Sequence, residues 1–158
     1  MRIDFSCPVS GARRDNTTAR IVAGIVFAGA AAAGLLAWTA PPWAAGVAFA
    51  LAADFALRAF APPRFSPLAT LARGIGSAFN APRVPRDAAP KVFAARIGLV
   101  FSLAAAALAW ASPAAAAAVA GVLAVCAFLE CAFGYCLGCQ AYSLLPRKAR
   151  TVLAAGVR

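Results

Sequence analysis

The chain has 158 residues, 63% of them hydrophobic, with a mean hydropathy of +0.80 and a formal charge of +10. That composition excludes an ordinary soluble domain, which would need far more polar surface. The complete lack of histidine excludes His-ligated haem, His-based zinc sites and Ser-His or Cys-His catalysis. The length fits one helical unit, so residues 1–158 are read as a single integral membrane domain.

Residues 1–19 form a polar arm that carries Cys7-Pro8. The arm is not expected to be a secretory leader. It contains Asp4 and Asp15, and the apolar run after it is too long for a signal core and has no clear cleavage site. Four membrane helices are predicted, over residues 20–38, 43–61, 92–111 and 113–135. Each is close to the length that crosses a hydrocarbon core of ~30 Å. In the first, Gly24, Ala28 and Ala32 make a small-residue stripe that would admit a close neighbour. Thr39 to Pro42 is an uncharged turn. Residues 62–91 form a basic connector. Within it Ser66-Pro67 is a helix start, and Leu68, Leu71, Ile75 and Phe79 share one face of a short interfacial helix. Pro82, Pro85 and Pro90 make the rest extended. Residues 146–158 are a basic tail.

The charges are sorted. All fifteen Lys and Arg residues lie in the arm, in the connector with its flanking helix ends, or in the tail. The two remaining turns have none. This is membrane topology and not a nucleic-acid footprint: basic segments mark the cytoplasmic side, so both termini are expected there. The fold class is therefore all-α and polytopic. Arg20 and Asp54 are 34 positions apart, as are Arg96 and Glu130, and the pairs superpose at an offset of 76. That predicts two helical hairpins in parallel repeat.

The chemistry concentrates in Leu123 to Leu145, which holds four of the five cysteines. Cys136-Leu137-Gly138-Cys139 has the spacing of thiol–disulfide sites and of half a metal site. At the offset of 76 the first hairpin has no cysteines there, so the fold alone does not require them. Read as the end of the fourth helix, the pair faces the negative end of the helix dipole, which with Glu130 opposes a Cys136 thiolate; nearby Arg and Lys favour it. The bland alternative is two small buried residues. Cys7 is a lone thiol within reach of the pair, or a chance residue. Cys126, Cys131 and Cys136 recur every five residues, which turns about 140° per step and forms no stripe. No metal is assigned, because four ligands in a known pattern are lacking. Charges inside apolar helices cost about 2.5 kcal/mol or more unless paired. Asp54 with Arg58, Arg20 with Asp54, and Arg96 with Glu130 are the natural pairs, fixing helix register or leading protons to the cysteines.

Several of these stretches together resemble a bacterial membrane family known as domain of unknown function 4395. They are Cys7-Pro8, Arg20, Asp54 with Arg58, Pro63 to Leu68, Ala89 to Gly98, and Phe133-Gly-Tyr-Cys-Leu-Gly-Cys139. The resemblance covers nearly the whole chain. It implies thiol or sulfane-sulfur traffic, since relatives occur beside thioredoxin-like or rhodanese-like domains. The expected function is an inner-membrane thiol–disulfide or sulfur-relay protein, in enzymatic terms a thiol–disulfide oxidoreductase. Its cytoplasm-facing Cys136 and Cys139, with Cys7 and Glu130, would exchange with a thioredoxin-like or rhodanese-like partner. A small sulfur-anion transporter and a scaffold for soluble enzymes are the alternatives. Lipid is an expected partner, nucleic acid is not, and homo-oligomerisation stays open. No residue marks a cofactor site; a membrane quinone is a candidate for the other redox end.

Overall fold

The computed structural model describes residues 13–146 and 149–150. A short strand β1 (Arg13–Asp15) leads into helix α1 (Asn16–Thr39), and α2 (Pro41–Phe60) returns. A single 3-10 turn (Pro63–Phe65) precedes α3 (Pro67–Ala78), and β2 (Pro85–Asp87) follows. Then α4 (Ala88–Ala111) and α5 (Pro113–Phe133) form a second hairpin, and α6 (Leu137–Leu144) follows. Helices α1, α2, α4 and α5 are all long and apolar enough to span a membrane. The protein is an all-α polytopic membrane protein.

The helix starts differ from the sequence reading, and side-chain capping explains why. Asp15 accepts hydrogen bonds from the Thr17 and Thr18 N–H groups, so α1 begins four residues before Arg20. Asp87 accepts from the Ala89 N–H, so α4 begins at Ala88 and takes Pro90 into its first turn, where a missing N–H costs nothing. The Ser66 cap of α3 forms as expected, with Ser66 Oγ accepting from the Ala69 N–H at 3.1 Å. The two strands pair antiparallel, Arg14 opposite Arg86, and tie the starts of α1 and α4 together.

The two halves repeat, but at an offset of 72, not 76. Strand, both helix starts and both turn prolines recur at that distance: Arg13 and Pro85, Asn16 and Ala88, Pro41 and Pro113. The corrected register replaces the match of Arg20 with Arg96 by Leu36-Ala37-Trp38…Pro41 with Leu108-Ala109-Trp110…Pro113. Two charge coincidences had outweighed an aligned turn. Helix α1 packs on α5 and α2 on α4, as a two-fold axis along the bundle requires, and α3 rests on α1 as α6 rests on α4.

Packing changes along that axis. At the turn end the core consists of alanine: Ala37, Ala44, Ala109 and Ala116 form one layer, and Ala33, Ala48, Ala105 and Ala120 the next. Each layer is two pairs related by 72. Without a hydrophobic force between helices in lipid, such small side chains gain stability by letting backbones come close. The predicted stripe is only partly used, since Ala28 is exposed. All three tryptophans, Trp38, Trp43 and Trp110, point outward at this end, the position of an interfacial aromatic belt. Toward the basic end the core broadens to Val22, Val26, Leu51, Phe55 and Leu123. Ala37→Leu is expected to overpack the tight layer and destabilise the bundle by about 1–3 kcal/mol, read as an earlier transition in an SDS-unfolding titration followed by circular dichroism.

Candidate functional site

The last turn of α5 ends at Gly134, whose φ of +68° lies in the left-handed region that glycine adopts without strain. Its N–H bonds the Glu130 carbonyl and the Tyr135 N–H bonds that of Leu129, which closes the helix. Arg20 completes the closure. Its guanidinium donates to the Cys131 carbonyl at 2.9 and 3.1 Å and to the Ala132 carbonyl at 3.0 Å. A cation on the last carbonyls opposes the negative end of the helix dipole. Arg20 therefore does not pair with Asp54.

Beyond this break Cys136 is the N-cap of α6. The expectation that the cysteine pair continues α5 and meets a negative dipole end is thus corrected: Cys136 stands at the positive end of a new helix, which favours a thiolate. The Cys136 side chain makes no short cap bond of the kind Ser66 makes. Hydrogen bonding from the Cys139 thiol is the chief cause that holds Cys136 below the ordinary thiol range; burial and Glu130 oppose it, while the Cys139 N–H and Lys91 assist. The same bond, with burial, pushes the Cys139 thiol well up. The two thiols thus differ, Cys136 being the more acidic of the pair. Neither is in a disulfide.

Helix α6 is seated on α4 by two contacts. Tyr142 is buried against Ala89, with its ring 5.6 Å from that of Phe93. Gly138 lies so close to α4 that a Cβ there would sit 2.6 Å from the Ala94 Cβ and 2.8 Å from its Cα. The glycine inside the cysteine pair is required by packing.

Cys136 lines a cavity of about 530 Å³ in the basic half of the bundle, where α1 and α4 stand apart across the two-fold axis. Val22, Val26, Phe101, Leu123 and Ala127 form its apolar depth. Arg14, Arg58, Lys91 and Glu130 lie around its polar end. The Lys91 Nζ is 3.8 Å from Glu130 Oε1 and 2.9 Å from Asn16 Oδ1. Neither the cavity nor Lys91 was found by sequence reasoning; the turn motif repeating at 72 was the signal that would have set the helices in register.

The other expected residues distribute as follows. Cys139 stands beside Cys136 but outside the cavity wall, and Cys126 is in that wall. Cys131 packs on α1, its Sγ 3.1 Å from the position of a Cβ on Gly24. Cys7 lies outside the described residues. Asp54 is 2% exposed and takes three partners: Arg58 Nε at 2.7 Å, Ser66 Oγ at 2.7 Å and the Leu68 N–H at 3.2 Å. Two hydrogen bonds on Oδ1 and the ion pair on Oδ2 hold this buried carboxylate, and it anchors the start of α3. Arg96 does not meet Glu130; its guanidinium lies 5.6 Å from the Phe60 ring centroid. Among the described residues, no three Cys, Asp or Glu side chains converge on a point where a metal could sit.

A family model described as a domain of unknown function, DUF4395, matches residues 15–147. The chain belongs to this family. The match runs from the cap of α1 through α6, so the family's domain includes the cavity and the cysteine pair. Neither curated proteins nor solved structures provide a significant match.

Two outcomes test this geometry. Gly138→Ala should lift α6 from α4, cost about 1–3 kcal/mol and quicken alkylation of Cys136, and adding Ala94→Gly should restore both toward wild type. The alkylation rate of Cys136 against pH should have its midpoint below the ordinary thiol range. Cys139→Ala removes the main donor to the thiolate, so that midpoint should move up.

Proposed function

We propose that the protein is a membrane thiol–disulfide or sulfur-relay protein that works through Cys136 and Cys139. The observation that carries this reading is the placement of the pair at the start of α6, with Cys136 at the N-cap and in the wall of a cavity. The chemistry follows from the geometry. The Cys136 thiolate attacks a disulfide of the partner, an S–S bond forms to Cys136, and one partner sulfur leaves as thiolate. Cys139 then gives up its proton and attacks the Cys136 sulfur, and the second partner sulfur leaves. The partner gains two electrons and the pair becomes a disulfide; the reverse sequence oxidises the partner. A rhodanese-like donor would instead transfer a sulfane sulfur to Cys136 as a persulfide.

The partner is a thioredoxin-like or rhodanese-like protein, met on the basic face. By the distribution of Lys and Arg that face is cytoplasmic, in a bacterial inner membrane with both termini inside. Cys7, on the amino-terminal arm, is the auxiliary thiol. Glu130, through Lys91, is a proton carrier at the polar end of the cavity. Transport of a small sulfur anion is the second reading, favoured by the cations around the cavity. The alanine layers at the turn end speak against it, because four backbones in close approach leave no passage beyond the cavity.

Maleimide mass-tagging in intact membranes, before and after mild reductant, tests the proposal. Wild type should gain two taggable thiols on reduction. Cys136→Ser and Cys139→Ser should each abolish that paired change, and Cys136→Ser should also abolish turnover with an oxidised thioredoxin. Thiols that stay free and inert throughout would count against the redox reading and for a scaffold or transporter.

A further inference from the structure

We propose that the cavity beside Cys136 binds a membrane quinone, and that this quinone accepts the two electrons of the Cys136–Cys139 dithiol. The inference rests on the dithiol reading and adds the identity of its second redox partner. A dithiol that reduces or oxidises a soluble partner needs another two-electron carrier to return to its starting state. In a bilayer the lipid-soluble two-electron carriers are quinones.

The cavity has the three features such a molecule requires. Its volume of about 530 Å³ lies within the range of small-molecule sites, roughly 300–1,000 Å³. Its depth is lined by Val22, Val26, Phe101 and Leu123, which suits a ring and the first units of an apolar tail. Its other end carries Lys91, Arg14 and Arg58, and quinone carbonyls are hydrogen-bond acceptors that need donors. A small sulfur anion uses the cations but leaves the apolar depth unfilled, at the cost of desolvating its charge. The fourth observation separates a redox site from a lipid site: Cys136 is in the wall while Cys139, three residues on in the same helix start, is outside it, so that one thiol meets the ligand and the other is left to resolve.

The step balances. Cys136 gives its proton to the medium, its sulfur adds to the quinone ring, an S–C bond forms and a ring oxygen takes up a proton. Cys139 loses its proton and attacks the Cys136 sulfur. An S–S bond forms, the S–C bond breaks, and its electron pair passes into the ring, whose second oxygen is protonated. Dithiol and quinone become disulfide and quinol, with the Lys91–Glu130 pair at 3.8 Å as the route for the protons.

The experiment uses the full chain in nanodiscs with decylubiquinone as probe. Binding is measured on the Cys136→Ser/Cys139→Ser protein by equilibrium dialysis. Reduction is measured on the pre-reduced wild type by quinone absorbance with thiol counting. The expected result is saturable binding without the cysteines, and one quinol formed for every two thiols lost in wild type. Ala127→Leu, which fills the apolar depth, and Lys91→Met, which removes a donor at similar length, should each weaken binding at least tenfold; circular dichroism establishes that each is folded. No saturable binding, or binding that neither folded variant weakens, overturns the quinone site even if wild-type thiols still exchange with oxidised thioredoxin. Saturable binding with thiols that react with neither quinone nor thioredoxin overturns the dithiol reading and the electron transfer together. Bound quinone that oleate displaces, with no quinol formed while thioredoxin exchange continues, assigns the cavity to a fatty acid and overturns the inference alone.

Discussion

Everything in the molecule depends on how closely four helices can approach at the turn end. Lipid tails are as apolar as leucine, so burying large side chains gains little inside a membrane. Alanine layers gain stability by bringing backbones together, and they fix both hairpins at one end. Nothing of that kind holds the basic end. There Phe55 intrudes so far toward α4 that its ring would lie 2.5 Å from a Cβ on Gly98. The same position in the second half is Ala127. One large ring on one side and an alanine on the other is an asymmetry that an otherwise two-fold bundle absorbs as open space.

The two halves also differ at one equivalent position. Each hairpin ends in a short helix that folds back on the first helix of its own half, and each needs its exposed N–H groups attended to. The first half does this with oxygen: Ser66 caps α3, and Asp54 holds Ser66. The second places Cys136 at the corresponding cap of α6. Sulfur is the poorer cap and the better nucleophile. A position filled by a capping hydroxyl in the first half is filled by a thiol that makes no cap bond in the second.

Much of this was legible beforehand. The number of spans, the hairpin arrangement and the short helix between the hairpins with its Ser66 start all follow from hydropathy and spacing. What the sequence concealed has physical reasons. Gly134 inside an apolar run is compatible with a continuing helix, and only its left-handed backbone ends α5 and turns Cys136 from the tail of one helix into the head of another. The partners of Arg20 are backbone carbonyls, which no spacing of charged residues can reveal. Lys91 meets Glu130 because α4 begins at Ala88, and that start depends on an aspartate cap rather than on where the hydrophobic stretch begins. The repeat was real but read four positions off, since alanine-rich helices align almost equally well in neighbouring registers.

The ladder between β1 and β2 sets a dimension. Helices α1 and α4 stand apart across the cavity, and what joins them at its mouth is a three-residue antiparallel pairing, Arg13 with Asp87 to Asp15 with Pro85. Backbone spacing in such a pair is invariant, near 5 Å between strands. The aperture of the site is therefore gauged by main chain. Side chains around the rim can be exchanged without altering the separation of the two helix starts, because none of them takes part in the ladder that sets it.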